Sequence, residues 1–235
     1  MKKILCFGDS LTEGRPGITY LRYVKHKKQF INFGLGGDTV IGMTERLTKI
    51  IKKNKYKDST DIIIGIGTND ILLPFLKNYS FLWNKRVKSL VRRGSIPCRD
   101  EQQFIREYTR LIKILKESNK NIIIFGLPYI ESKEINLNDK IDNYNKIISN
   151  LCKKNNIPYI DFKSEQVKIK RDLKNTGSYF MLKNWFKVIT DTLLTTFLPF
   201  ASYISKKRGL VLTVDGCHLN KNSSNVLASL IDKSL

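Results

Sequence analysis

A serine hydroxyl becomes a nucleophile only when a neighbouring base takes its proton. Ser10 stands in Gly8-Asp9-Ser10-Leu11-Thr12-Glu13-Gly14, directly after an apolar run. The flanking glycines let the backbone turn tightly there, so the hydroxyl can face a cleft. A βα turn of no chemical consequence can carry the same Gly-Asp-Ser. Candidates for the base are few, because the chain holds only two histidines. His26 lies in a basic stretch between Lys25 and Lys28 and reads as surface, which leaves His218. That residue closes Asp215-Gly216-Cys217-His218, ahead of the last helical stripe. A separation of three lets a carboxylate and an imidazole meet on one turn, so Asp215 can orient the ring and stabilise its protonated form.

Two further stretches contain donors suited to a developing negative charge. In Asn32-Phe33-Gly34-Leu35-Gly36-Gly37-Asp38-Thr39 a glycine cluster precedes a helix, and exposed amides at such a point hold an anion or an oxyanion. Taken alone it is equally a plain turn and helix start. In Gly65-Ile66-Gly67-Thr68-Asn69-Asp70 the neutral amide of Asn69 lies just beyond an apolar run, either as an oxyanion donor or as an ordinary turn residue.

These residues need a scaffold that brings them together. Apolar β-type runs at 3–7, 29–33, 61–66, 121–125 and 158–162 alternate with helical stripes within 40–51, 104–115, 141–151 and 226–231. Strand and helix in alternation predict an α/β fold, an open doubly wound sheet of five parallel strands with helices on both faces. Ligands bind such sheets beyond the carboxyl ends of the strands, where the serine, glycine and asparagine stretches fall.

With 235 residues and 41% hydrophobic content the chain has material for one core, so a single domain over 1–235 is expected. The four cysteines are scattered without a CxxC pair or zinc-ligand spacing, and read as free thiols. The apolar stretch near the first residue is too short for a secretory leader, so a cytoplasmic location is expected. The longest uncharged run in the irregular region before Asp215, residues 192–205, is too short to span a bilayer of roughly 30 Å. It reads as part of a buried or interfacial helix pair. A net charge of +21 invites a nucleic-acid reading, but no RNA- or DNA-binding motif accompanies it. Two segments concentrate the charge: 71–99 holds seven Lys or Arg and no acid, and the stretch from Phe162 to Val214 holds ten against three.

The four motifs together, in order over nearly the whole chain, resemble the SGNH hydrolases, also called GDSL esterases and lipases. The matching blocks are GDSLTEG around Ser10, NxGxxGxT ending at Thr39, GTND around Asn69 and DGCH around His218. The resemblance implies a three-layer, flavodoxin-like sheet and an ester hydrolase using neither metal nor organic cofactor. It implies a triad of Ser10, His218 and Asp215, with the oxyanion held by the backbone amides of Ser10 and Gly37 and the side chain of Asn69. Asp9 is implied to brace the turn. Compact members lack the two basic segments, which read as insertions at about 71–99 and 163–214 rimming the site. Trp83, Trp185 and Phe186 within them are candidate substrate contacts. Such insertions form either an apolar, cationic wall or simply added core. A wall would favour an ester with an anionic part, or one presented at an acidic membrane surface. The substrate is expected to be a small-molecule, lipid or carbohydrate ester, with no specific nucleic-acid partner. Carbohydrate O-acetylesterase, lysophospholipase and thioesterase remain open, as does a non-catalytic binding module.

Overall fold

The computed structural model describes residues 3–132, 136–172 and 185–235. Five strands, β1 (Lys3–Gly8), β2 (Phe30–Gly34), β3 (Ser59–Gly65), β4 (Asn121–Phe125) and β5 (Tyr159–Ile160), form one parallel sheet in the order β2-β1-β3-β4-β5. This is the flavodoxin-like doubly wound order, with its topological switch between β1 and β3. The register sets Gly8 beside Gly34 on one side and Gly65 on the other, so three strands end level. Side chains are excluded from this row by their neighbours. A Cβ on Gly8 would stand 2.2 Å from Thr12 Oγ1, and one on Gly34 would stand 2.1 Å from the Glu13 nitrogen.

Ten α-helices are described: α1 (Ser10–Glu13), α2 (Val40–Ile51), α3 (Thr68–Tyr79), α4 (Phe81–Arg92), α5 (Glu101–Glu117), α6 (Asn138–Lys154), α7 (Phe162–Asp172), α8 (Trp185–Thr192), α9 (Ala201–Lys207) and α10 (Lys221–Ser234). Because successive strand residues point to opposite faces, the sheet divides the core in two. Leu5, Phe7, Ile62 and Ile64 pack with α2, α5 and α6, whereas Ile4, Cys6 and Ile63 pack with Tyr20, Phe162 and α10. Each such side chain contributes roughly 1.5–3 kcal/mol on burial. Side-chain caps fix the helix starts that matter here. Thr39 Oγ1 accepts the Gly42 N–H at 3.3 Å, and Asn220 Oδ1 accepts the Asn222 N–H at 3.0 Å.

The structure differs from the sequence-based expectation at three places. The last strand is shorter than 158–162: only Tyr159 and Ile160 pair with β4, and Phe162 opens α7 instead. Segment 71–99 is helical, folded as α3 followed by α4, with Pro74 inside α3. Finally, of the buried or interfacial helix pair expected between 182 and 204, two helices form, α8 and α9, but much of their apolar surface is left exposed. Position 182 lies outside the described residues, and Ile189, Leu193 and Phe197 are 48%, 52% and 63% exposed. The segment docks through the buried Ala201 and Ile204 and through polar groups. Asp191 pairs with Arg208, and Thr195 Oγ1 accepts the Gly17 N–H at 3.0 Å while donating to the Asp191 carbonyl at 2.7 Å. Pro199 lies in the turn that leads into α9. Among the described residues no helix is long and apolar enough to cross a membrane, and all four cysteines are buried and unpaired.

Candidate active site

Ser10 is the first residue of α1, a single turn set across the level ends of β1 and β2. Asp9 caps that turn, its Oδ1 accepting the Leu11 N–H at 2.9 Å, and Gly14 closes it at φ 79° with its N–H donated to the Ser10 carbonyl at 2.7 Å. The Ser10 N–H, at the first helical position, has no acceptor within the turn. The hydroxyl meets His218, whose Nε2 lies 3.0 Å from Ser10 Oγ. On its other side His218 Nδ1 lies 2.7 Å from Asp215 Oδ2. A carboxylate can only accept, so Nδ1 carries the proton of the neutral ring and Nε2 presents its lone pair to the hydroxyl.

Asp215 holds this arrangement by its second oxygen, since Oδ1 accepts the backbone N–H of His218 at 2.9 Å and of Cys217 at 3.1 Å. Burial alone would raise its pKa, but His218 and these hydrogen bonds outweigh it and hold the carboxyl below the ordinary range. Burial likewise disfavours the imidazolium, yet Asp215, helped by Asp9 and Glu13, leaves the His218 pKa above its usual value. Asp9 is pushed up to about 7, chiefly by burial and further by Asp38, against the Leu11 N–H, His218 and the Thr68 hydroxyl.

The candidate donors converge on the same spot. Gly37 is in the left-handed region at φ 83°, and a Cβ there would stand 2.9 Å from Leu90, so glycine is required. Its N–H has no acceptor among the described residues, whereas the neighbouring Gly36 N–H is taken by Glu13 Oε2 at 2.7 Å. Asn69 lies in the first turn of α3 rather than in a loop. One proton of its amide is donated to the Asp38 carbonyl at 2.9 Å, which orients the group and leaves the other for the cavity. Asp70 ties the surroundings together, accepting the Val40 N–H at 3.0 Å and the Cys98 N–H at 2.9 Å. Burial, opposed by these bonds, raises its pKa to about 6.

Ser10, His218, Gly37 and Asn69 line a cavity of about 350 Å³, within the usual range for small-molecule sites. Its wall is largely apolar, formed by Leu72, Leu73 and Leu76 of α3 with Trp83, Val87 and Leu90 of α4. Trp83 is therefore at the cavity. Trp185 and Phe186 begin α8, but their side chains lie outside the described residues. Val188 and Thr192 bring that helix to the cavity. His26 is exposed in a short 3-10 turn region, far from any role here.

Sequence reasoning overlooks Glu131. Its buried carboxylate accepts the N–H groups of Val211, Leu212 and Thr213 at 2.8, 2.9 and 2.9 Å, and the Thr213 hydroxyl at 2.9 Å. It thereby sets the backbone that leads into Asp215. The available signal is its place in the loop after β4, on the same sheet edge as the other site residues. Arg15, which also lines the cavity, is overlooked as well, whereas Arg86 belongs to the basic segment 71–99 expected to rim the site.

A parallel sheet of this order with helices on both faces is a three-layer, flavodoxin-like α/β architecture, and the hydrogen-bonded serine, histidine and aspartate lie at the carboxyl ends of its strands. A sequence profile of the GDSL-like Lipase/Acylhydrolase family matches residues 6–180, and the chain belongs to that family. It is accordingly an ester hydrolase. Among solved structures it is similar to a variant of an acetyl xylan esterase from Geobacillus stearothermophilus, 16% identical, covering 99% of this chain and 93% of that one with a TM-score of 0.57. It is similar also to a lipase/acylhydrolase from Enterococcus faecalis, 18% identical over 100% of this chain and 95% of that one, TM-score 0.59. A third is an acylhydrolase from Bacteroides fragilis, 16% identical over 99% and 86%, TM-score 0.56. At these identities the likeness is one of fold. No curated protein sequence matches the chain.

Proposed function

We propose that the chain hydrolyses carboxylic esters through an acyl-enzyme on Ser10. His218 Nε2 takes the Ser10 proton as Oγ bonds to the carbonyl carbon, and the carbonyl oxygen becomes an oxyanion held by the Ser10 and Gly37 amides and the Asn69 side chain. The ester C–O bond then breaks, and the alkoxide leaves with the proton from His218. Water repeats the sequence on the acyl-enzyme, releasing the carboxylic acid and restoring the Ser10 hydroxyl.

The observation that carries this reading is the unbroken relay of 2.7 Å from Asp215 to His218 and 3.0 Å from His218 to Ser10. The test is labelling by a fluorophosphonate probe together with turnover of a short-chain aryl ester. Both are expected in the purified chain and absent in Ser10→Ala. Undiminished hydrolysis by Ser10→Ala would end the proposal.

A further inference from the structure

The cavity wall is largely apolar, and two cations, Arg15 and Arg86, are among the residues that line it with Ser10 and His218. Arg15 follows α1, in the loop that continues through Gly17, where a Cβ would stand 3.2 Å from His218 Cβ. The guanidinium of Arg15 lies over the Phe197 ring, 5.6 Å from its centre. Arg86 lies on α4, one position before Val87 of the apolar wall, and both arginines line the cavity. Neither forms an ion pair among the described residues. Partial burial and the nearby Arg93 already disfavour the charge on Arg86, which an incoming anion would relieve. Glu13 is the single acid lining the cavity among the described residues, and its Oε2 is occupied by the Gly36 N–H at 2.7 Å. Guanidinium groups suit carboxylate and phosphate oxygens, which they can hold through two parallel hydrogen bonds.

We propose that Arg15, in the loop that meets His218, with Arg86 adding its charge from α4, selects esters that combine an apolar acyl group, seated between α3 and α4, with an anionic group on the alcohol part, a carboxylate or a phosphate. The placement follows from the leaving-group geometry. His218 returns its proton to the departing oxygen, so the alcohol part lies on the His218 side, where the Arg15 loop runs. This inference rests on the ester-hydrolase reading above and names the substrate class for the same site.

Matched butyrate esters test it: glycolamide against glycolate, and glycerol against glycerol phosphate. At low salt, kcat/KM is expected to favour the anionic member of at least one pair by about 10-fold, the scale of one charge-assisted contact at a partly exposed site. Which pair shows the larger ratio tells carboxylate from phosphate. Arg15→Gln with Arg86→Gln should bring the ratio toward one, each single variant giving part of the loss. Lys85→Gln, which removes a neighbouring charge outside the cavity, should keep it. About 1 M salt, with a Debye length near 3 Å, should compress it. Ratios of one for both pairs in the unaltered chain, or a preference that survives the double variant, would overturn the proposal. Absence of turnover for all four esters, with no fluorophosphonate labelling, would remove the ester-hydrolase mechanism beneath it instead, and this inference with it.

Discussion

At the scale of single residues, the site depends on which groups are charged at neutral pH. His218 works as a base only when neutral, and Asp215, Asp9 and Glu13 raise its pKa above the ordinary ~6.5. The rise of kcat/KM with pH is therefore expected to be centred above that value. Asp9→Asn keeps the oxygen that caps Leu11 while removing one of the raising charges. Its pH profile should shift downward, and an unmoved midpoint would show that Asp9 does not act on the imidazole. Asn69→Ala removes one donor from the oxyanion and should lower kcat by about 10²- to 10³-fold with a smaller change in KM. Stopped assays on a single ester measure both. The types and spacing of Ser10, Asp215 and His218 single them out in the sequence, because few residues do this chemistry and the chain has two histidines. Glu131 has no such signature: a carboxylate after a strand is common, and what gives it a role is the set of donors from Val211, Leu212 and Thr213 that meet it in space.

At the scale of elements, the segment before Asp215 has no strand or helix of its own over 208–220, apart from a bridge between Thr213 and Leu219. The N–H groups of Val211, Leu212 and Thr213 would lose their acceptor without Glu131, and an unpaired buried donor costs about 1–3 kcal/mol. Glu131→Gln sets amide protons against donors at one of the two oxygens, so a loss of about 2–4 kcal/mol is expected in urea unfolding, with kcat falling more than KM rises. Unchanged stability would mean that the loop is held by other contacts. The helices of the insertions illustrate how far pattern reaches. Trp83, Val87 and Leu90 recur at helical spacing and are buried, so α4 is legible in retrospect. Pro74 and a run of apolar residues on every side obscure α3. In α8 and the turn after it, apolar spacing misleads, because Asp191 and Thr195 dock the segment while Ile189, Leu193 and Phe197 face outward.

Over the whole molecule, buried acids couple stability to pH. Asp9 and Asp70 have folded pKa values of about 7 and about 6, above the unfolded value near ~3.9. Between those limits the folded state binds more protons than the unfolded one, so stability declines as pH rises and the loss is complete above the folded values. His218, also raised, contributes stability below ~6.5 that is lost as pH climbs through its folded value. Asp215 runs the other way, but its lowered pKa matters only below the ordinary carboxylate range. Thermal unfolding should therefore show a higher Tm near pH 5.5 than near pH 8, while activity increases over the same interval. Asp9→Asn should flatten part of the slope, and a Tm that climbs steadily to pH 8 would contradict the assignment. The alternation of strand and helix, the five parallel strands and the four motif blocks follow from sequence alone, because periodicity and residue type are local properties. Tertiary structure alone decided that Gly34, Gly8 and Gly65 end in one row and that Glu131 reaches the loop before Asp215. It also decided that α3, α4 and α8 meet at one cavity with the serine, lined as well by Arg15 and Arg86. Those outcomes depend on register and on contacts between residues far apart in the chain, which no local pattern encodes.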